Sequence, residues 1–495
     1  MYRLLLYYLL VLIMAAIGMS LNGELHFSAA AIAISTIILV IACWIFNEIF
    51  TAIFKAPKNV ESVYITALIL ALIIAPYTSF QIVNFTFLLA ASGLAMASKY
   101  ILTIRKKHIF NPAAIAVVLT ALGPHQSASW WVGTTALLPF VLIGGILVVH
   151  KIRRGRMVLT FFVTTLLTTI VYTLLSRGSV YTSLHNTLLS SAMFFLGFVM
   201  LTEPLTTPPT TQKQTWYAAL TGLLFPPQFH VLRLYSTPEL ALVTSNFFSY
   251  LISPKAKLFP KFKLKVRLTP DSADFIFNPN YKKFAYIPGQ YMEWTLPHEG
   301  TDSRGNRRYF TLASSPTEPD IRIGIKFNDQ GSSFKEALLK INHETPIVAS
   351  QVSGNFVMPK DPKQKLIFIA GGIGVTPYRS MVKYLLDTNE KRPITMLYSV
   401  RTARDFAYKD VFERAREELG LKMVYVITDE SPSPGSYSYA NIINAAMIKK
   451  EVPDFQQCLF YISGTQSMVK AMQTMLHNLG LPKHRVIVDY FSGYA

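Results

Sequence analysis

Three observations predict a multidomain chain: a polytopic α-helical membrane domain, then an antiparallel β-barrel, then a doubly wound α/β domain. The first is a change of composition near residue 250. Residues 1–250 hold fourteen Lys/Arg, five glutamates and no aspartate, while the other 33 Lys/Arg and 23 acids lie beyond. The second is a train of apolar runs through the first half. The third is a switch, past residue 260, from period-two alternation to short solid apolar runs separated by helical stretches. Domains are expected at 1–252, 253–360 and 361–495.

The apolar runs fall at about 4–20, 28–54, 62–77, 80–98, 112–123, 130–150, 157–176, 186–202, 214–232 and 238–252. A membrane span needs about 20 apolar residues, so about ten helices are expected, with 112–123 too short and read as broken or re-entrant. The opening run continues directly into further apolar segments, which marks it as a first membrane helix rather than a cleaved signal. With a cytoplasmic N-terminus, the inner loops carry Lys55, Lys58, Lys99, Arg105, Lys106, Lys107, Lys151, Arg153, Arg154, Arg156 and Lys213. The outer ones carry Arg177 and Arg233. That bias orients the chain and places everything after residue 253 in the cytoplasm. The expected location is a bacterial inner membrane.

The formal net charge of +19 reads as loop charge plus a basic domain near anionic membrane lipid. No basic run interleaved with aromatics stands out, so no nucleic-acid partner is expected. Cys43 and Cys458 are the two cysteines. This excludes a disulfide framework, a four-cysteine iron–sulfur cluster and a zinc ribbon within the chain, and no metal site is expected.

Two stretches interrupt the apolar monotony. "KHIFNPAAIAVVL" sets Asn111 and Pro112 at the head of the short segment, and "FVMLTEPLTTPPT" sets Thr202, Glu203 and Pro204 at the end of another. Each alone is ordinary punctuation, Asn as N-cap and Pro at the first helical position. A Pro-interrupted segment in each half points further, to inverted repeats whose broken ends meet a ligand. Glu203 is either a lone boundary charge or an ion-path residue.

In the second half, "KFKLKVRL" and "IRIGIKF" alternate as half-buried strands do. With "YMEWTL", "RRYFTL" and "TPIVASQV" they make a barrel of five or six strands. "RRYFTLASSP" directs Arg308 and Phe310 to one face and Tyr309 and Thr311 to the other. A flavin needs an aromatic wall, a donor near its N5 and a cation for its pyrophosphate. This strand offers all three, with Tyr291 upstream. Gly331, Ser332 and Ser333 open a helix as a phosphate site, and Phe491 near the end is a candidate cover. The expected cofactor is FAD.

"LIFIAGGIGVTPYRSM" joins strand, glycine turn and helix start, so Gly371, Gly372 and Gly374, followed by Thr376 and Pro377, let a dinucleotide diphosphate approach the backbone. Ser399 and Arg401 end the next strand where an adenosine ribose would lie, leaving NADH and NADPH both open. Ser463, Gly464 and Met468 of "YISGTQSMVKAM" supply a second strand–glycine–helix corner.

Residues 260–495 resemble the ferredoxin–NADP reductase superfamily through the Arg-x-aromatic-Thr of Arg308, Phe310 and Thr311 and through "GGIGVTP". The departure is at "YISG", where the family reads Tyr-x-Cys-Gly-Pro and this chain has Ser463 and Thr465. Residues 45–230 resemble RnfD/NqrB membrane subunits in the order of "ESVYITALILAL", "IFNPAA" and "MLTEPLTTPPT". That resemblance implies two inverted helical repeats and a second flavin, FMN, linked by phosphate to a threonine. Here the position is Thr135 in "VGTTAL", where the family reads Ser-Gly-Ala-Thr, a mismatch that argues against covalent attachment.

Together these imply an NAD(P)H-dependent flavin oxidoreductase in a membrane. It would pass electrons to a second flavin, a quinone or partner electron-transfer subunits. The alternative is a redox-driven Na+ or H+ transporter subunit of an Rnf/Nqr-like complex. A haem reductase would instead need pairs among His108, His125, His150 and His185.

Overall fold

The computed structural model describes residues 2–55, 60–77, 82–104, 107–123, 126–231, 234–253, 257–280, 285–302, 304–327, 331–429, 438–440 and 442–489. For Val231, Leu234, Gln351 and 438–440 it describes the backbone alone. The chain divides into two compact units, Met1–Ala256 and Lys257–Ala495.

The first unit is helical: α1 (Tyr2–Leu21), α2 (Ala29–Phe54), α3 (Val60–Ile73), α4 (Ile82–Ser98), the ribbon β1 (Thr103–Ile104) and β2 (Lys107–His108), and α5 (Pro112–Leu122). Then come α6 (Leu138–Ile152), α7 (Gly155–Leu175), α8 (Val180–Leu189), α9 (Met193–Phe195, running on as a π-turn over Leu196–Met200) and α10 (Thr211–Leu224). A second ribbon, β3 (His230–Val231) and β4 (Leu234–Tyr235), precedes α11 (Pro238–Ile252). Among the described residues, α1, α2 and α7 are long and apolar enough to cross a membrane, and a fourth span arises if α8 and α9 count as one. The ten expected spans are thus not all of spanning length. The run 186–202 breaks between α8 and α9 with a bend of 53°. The run 130–150 begins late, because Trp130–Leu137 is an irregular segment tied to α3. There Trp130 N and Val132 N donate to Ile73 O and Leu72 O, and Trp131 Nε1 donates to Ala71 O at 2.9 Å.

Beneath these helices lies one apolar core, including Leu9, Leu12, Leu39, Leu70, Leu88 and Phe161. Outside it, α1 exposes Val11 and Met14, α2 Ile37 and Ile41, and α7 Leu159 and Leu167. Helices apolar on both faces suit a lipid surround.

One pattern occurs twice: a two-residue ribbon, an N-cap, and a proline opening a helix. Asn111 Oδ1 accepts from Ala114 N at 3.1 Å ahead of α5, and Thr237 Oγ1 from Leu240 N at 3.3 Å ahead of α11. The counterpart of Pro112 is therefore Pro238. Pro204, paired with it in the sequence reading, follows the π-turn instead, because the chain there leaves a helix rather than entering one. Two cations counted as loop charge are also structural. Lys107 is buried, and Arg154 donates to Thr202 O at 2.7 Å and Thr207 Oγ1 at 2.6 Å. Lys58, Arg105, Lys106 and Arg233 lie outside the described residues.

The second unit begins with two three-stranded antiparallel sheets rather than one continuous barrel. One has the order β5 (Lys261–Thr269), β6 (Ser272–Asn278), β9 (Ile321–Lys326). The other runs β10 (Val348–Ser353), β7 (Tyr291–Thr295), β8 (Arg307–Thr311). Phe275, Phe277, Ile323 and Ile325 from the first meet Met292, Trp294 and Phe310 from the second, and α12 (Ser333–Leu339) closes the core with Phe334 and Leu338. Strand β5 departs from expectation. As an edge strand it leaves Lys261, Lys263, Lys265 and Arg267 exposed, and Leu264 and Val266 as well, so it is open on both faces instead of half-buried.

Next come β11 (Leu366–Gly371), α13 (Thr376–Thr388), β12 (Ile394–Val400), α14 (Lys409–Leu419), β13 (Lys422–Ile427), β14 (Ser438–Ala440), α15 (Ala445–Glu451), β15 (Leu459–Ser463), α16 (Gln466–Asn478) and β16 (Val486–Asp489). The strands form one parallel sheet in the order β14-β13-β12-β11-β15-β16. Along β11, Phe368 and Ala370 pack with α13 and α14, and Ile367 and Ile369 with α15 and α16. Helices on both faces explain why these strands are solid apolar runs. The sheet is doubly wound as expected, with β14 an addition that its three residues were too short to announce.

Candidate functional site

The strand order fixes where a ligand fits. From β11 the chain winds outward through β12, β13 and β14, then returns to place β15 and β16 on the other side. Between β11 and β15 the winding reverses, and open α/β sheets bind ligands outside the carboxyl ends of strands at such a point. Ala370 and Ser463 are direct neighbours there. A Cβ on Gly374 would stand 2.7 Å from the Cα and N of Gly464, and one on Gly371 would strike the Sδ of Met468 at 2.2 Å. The two glycine corners, about ninety residues apart in sequence, thus share one crevice floor of bare backbone. Gly372 has a φ of +52° with open space beside it, a conformation glycine adopts without cost. The turn Gly372–Val375 runs into α13, whose start carries Thr376 and Pro377 and no side-chain cap. Thr376 N donates back to Ile373 O and Pro377 carries no amide, so the glycine turn and α13 run on as one helical start. Ser399 is in register with Gly371 on β12, and Arg401 is exposed just beyond it.

On the flavin side the structure redistributes the expected roles. Strand pairing sets Arg308 opposite Trp294 and Phe310 opposite Met292. That face is the core, so Phe310 packs on Phe334 at 5.8 Å between ring centres and is no stacking wall. The opposite face carries Tyr291, Glu293, Tyr309 and Thr311. There the rings of Tyr291 and Tyr309 meet edge-to-face at 5.7 Å, and Tyr309 donates to Glu293 Oε2 at 2.7 Å. Both tyrosines are part-exposed, so they form the available aromatic surface.

Arg308 lies over the Phe334 ring at 5.4 Å and holds both oxygens of Asp302 at 3.1 Å. Ser332 caps α12 by accepting from Lys335 N, while Ser333 Oγ accepts from Asp302 N at 3.0 Å and bonds His298. Gly331 leads into this cap. Sequence reading missed Lys335. Burial first, then the charges of Arg304, Arg308 and Lys326, push its ammonium down to about 8. Three further cations crowded round a buried ammonium mark a place for an anion. The signal was there in "GSSFK", three residues past the cap. Phe491 and His125 lie outside the described residues.

In the helical unit the two interrupted stretches do meet. Asn111 Nδ2 donates to Glu203 Oε2 at 2.9 Å, and His108 Nε2 lies 3.4 Å from Glu203 Oε1. Asn111 N donates to Asn246 Oδ1 at 2.8 Å, and Asn246 Nδ2 to the Tyr217 hydroxyl at 2.9 Å. Asn246 and Tyr217 gave no sequence signal, since their partners sit in other helices. Thr202 donates back to Phe198 O at 2.7 Å, Pro112 opens α5, and Pro204 follows Glu203 in the turn. Thr135 is not hydrogen-bonded to this group. It sits exposed in the turn before α6.

Residues 368–474, which carry the crevice, match the oxidoreductase NAD-binding domain family. More particularly, the chain is similar to a glycine betaine monooxygenase reductase subunit from Chromohalobacter salexigens, 28% identical over 204 residues, covering 40% of this chain and 54% of that one. It is 24% identical over 226 residues to a flavohemoprotein from Bacillus cereus, covering 43% and 55%. The chain thus spans little more than half the length of these curated relatives. Among solved structures, the flavohem-like FAD/NAD binding domain of nitric oxide dioxygenase from Vibrio cholerae aligns with a TM-score of 0.42 at 19% identity. That alignment covers 47% of this chain and 98% of that one.

Proposed function

We propose that the chain is a membrane-bound NAD(P)H-dependent flavin oxidoreductase that passes electrons to an acceptor in its helical unit, a second flavin or a quinone. The observation that carries this reading is the glycine crevice at the sheet's switch point, within the same unit as a cation cluster beside an aromatic strand face. FAD, were it bound, would supply the redox chemistry between the nicotinamide and the onward acceptor. The chain's own residues bind and orient. Lys335, Arg304 and Arg308 supply positive charge to a pyrophosphate, and Tyr291 and Tyr309 offer an isoalloxazine ring a flat apolar contact. Thr311, buried beside Tyr291, offers a hydroxyl. Gly371, Gly374 and Gly464 bring backbone to the dinucleotide, with Met468 above the floor. Residue-level acid–base catalysis is not required.

The helical unit is read as RnfD/NqrB-like. Support comes from its twice-occurring ribbon–cap–proline–helix pattern and from the meeting of Asn111 with Glu203. The same meeting favours a second reading, a Na+ or H+ path through Glu203 that makes the chain a redox-driven transporter subunit. Thr135 is exposed in its turn, but its Val-Gly-Thr surroundings argue against a covalently attached FMN there.

Purified protein is expected to be yellow, and to bleach anaerobically with NADH or NADPH. Colourless protein, or colour that persists with both nucleotides, refutes the reductase reading. Acid precipitation then separates releasable FAD from a flavin retained on Thr135. In vesicles, an ion gradient built during NADH oxidation supports the transporter reading, and normal oxidation without one refutes it.

A further inference from the structure

Between the antiparallel sheets and the parallel sheet of the second unit runs a part-buried set of charges that cofactor binding does not explain. Arg379, on α13 one helical turn past Thr376, is 4% exposed. Its guanidinium grips both oxygens of Glu318, through Nη1 and, at 2.8 Å, through Nη2, and Nη1 also donates to Ala313 O at 3.1 Å. Glu318 in turn accepts from Ser315 N at 2.7 Å. Beside it Tyr408 donates to Asp274, which is fully buried, and Arg322 reaches Asp274 at 3.4 Å and Glu318 at 3.7 Å. Two arginines thus balance two carboxylates.

The places these groups join matter more than their number. Ala313 lies two residues beyond Thr311, just past the end of the strand that carries the candidate flavin face. Arg379 rises from the helix whose first turn continues the dinucleotide crevice. A second tie runs alongside, from Ser380 Oγ to Ser314 O. The packing between them is close: a Cβ on Gly324 of β9 would stand 2.8 Å from Thr376 Cγ2 and 2.5 Å from the Tyr408 hydroxyl. One bidentate fork therefore spans the two segments that hold the two redox partners. Such a fork fixes angle as well as distance.

We infer that Arg379 and Glu318 are positioning residues that set the approach of the nicotinamide to the flavin. This rests on the reductase reading. Hydride transfer needs reacting atoms about 3–3.5 Å apart, and a misplacement of about 1 Å costs on the order of a hundredfold in rate. A surface ion pair has no such leverage. A part-buried fork between the two holding segments does.

The test uses the full-length holoprotein with R379K, which keeps the charge and loses the fork, and E318Q, which keeps the shape and loses the charge. Anaerobic stopped-flow mixing with NADH or NADPH separates nucleotide affinity from the limiting rate of flavin reduction. Both variants are expected to retain FAD and to bind nucleotide within about threefold of the parent, while the limiting rate falls roughly tenfold to a hundredfold. The long-wavelength absorbance of a stacked nicotinamide–flavin pair is expected to weaken in parallel. An unchanged limiting rate overturns the inference, as does a loss confined to FAD content or affinity, which a merely structural seam would produce. Should R379K not fold, E318Q alone decides on the same criteria. A parent protein that NADH and NADPH both fail to reduce sinks the reductase reading instead, which keeps the two failures apart.

Discussion

Replacing Gly374 with alanine adds a single methyl group where two backbones touch. The Cβ would stand 2.7 Å from Gly464 Cα, Gly464 N and Ser463 C. Every obstructing atom belongs to the main chain, so no side-chain rotation relieves it. Ordinary contact begins at 3.4 Å, so the two corners must part by roughly 0.7 Å. Overpacking of this kind costs about 1–3 kcal/mol of stability. Parting the crevice floor should cost on the order of tenfold to a hundredfold in the rate of flavin reduction by nicotinamide nucleotide. Two neighbours serve as graded comparisons. At Gly371 the obstruction is the Met468 thioether, a flexible group that swings aside, so G371A should be milder. At Gly372 nothing stands near, and G372A should cost only the left-handed backbone penalty of about 1 kcal/mol. The assay is anaerobic bleaching of the flavin, with a thermal melt on the same samples. If G374A reduces at the parent rate, or G372A is the worst of the three, the shared-floor reasoning is wrong.

Lys335 gives a pH test. Its ammonium titrates near 8 in the free protein, below the ordinary lysine value, so its charged form costs stability at neutral pH and the cost lifts as pH rises through about 8. A diphosphate prefers the charged form, so FAD affinity of the apoprotein should fall about tenfold as pH climbs past 8, and K335M should abolish that slope in a fluorescence titration. Asp302 is held below the usual carboxylate range: burial works against it, but the Arg304 amide and the Arg304 and Arg308 guanidiniums outweigh burial. Its contribution is present above the unfolded carboxylate value and lost as pH falls through the lower folded one, so D302N should flatten the acid limb of a stability profile by up to about 1 kcal/mol. Y309A should weaken flavin retention by about 0.5–1.5 kcal/mol through lost ring contact, while Y309F retains it, as measured by dialysis of bound flavin. In the helical unit, E203A removes the acceptor of the Asn111 amide and should lower stability by about 1–3 kcal/mol in detergent melts followed by tryptophan emission. An unchanged melt refutes the bond.

Much of this was legible because it is local. Asn111-Pro112 announced a capped helix start, and period-two alternation announced β7, β8 and β9. The short solid apolar runs separated by helical stretches announced a sheet covered on both faces. What escaped is settled by neighbours distant in the chain. Alternation along "RRYFT" divided the side chains correctly between two faces. Only Met292 and Trp294 across the ladder decide that Phe310's face is the core. The run at 130–150 has the composition of a helix from its first residue, yet hydrogen bonds from 130–132 to α3 win over propensity. "KFKLKVRL" alternates like a half-buried strand, but its place at the sheet's edge leaves both sides open. Arg379 and Glu318 are sixty-one residues apart, and nothing near either one names the other.

That open edge has a consequence for how the protein keeps to itself. An unpaired strand invites a stranger's backbone to zip onto it and the sheet to lengthen from molecule to molecule. Along β5 the cations recur at every second residue, from Lys261 to Arg267. A second copy drawing alongside would have to set its own row of like charges against them. The repulsion discourages polymerisation without any cap or lid.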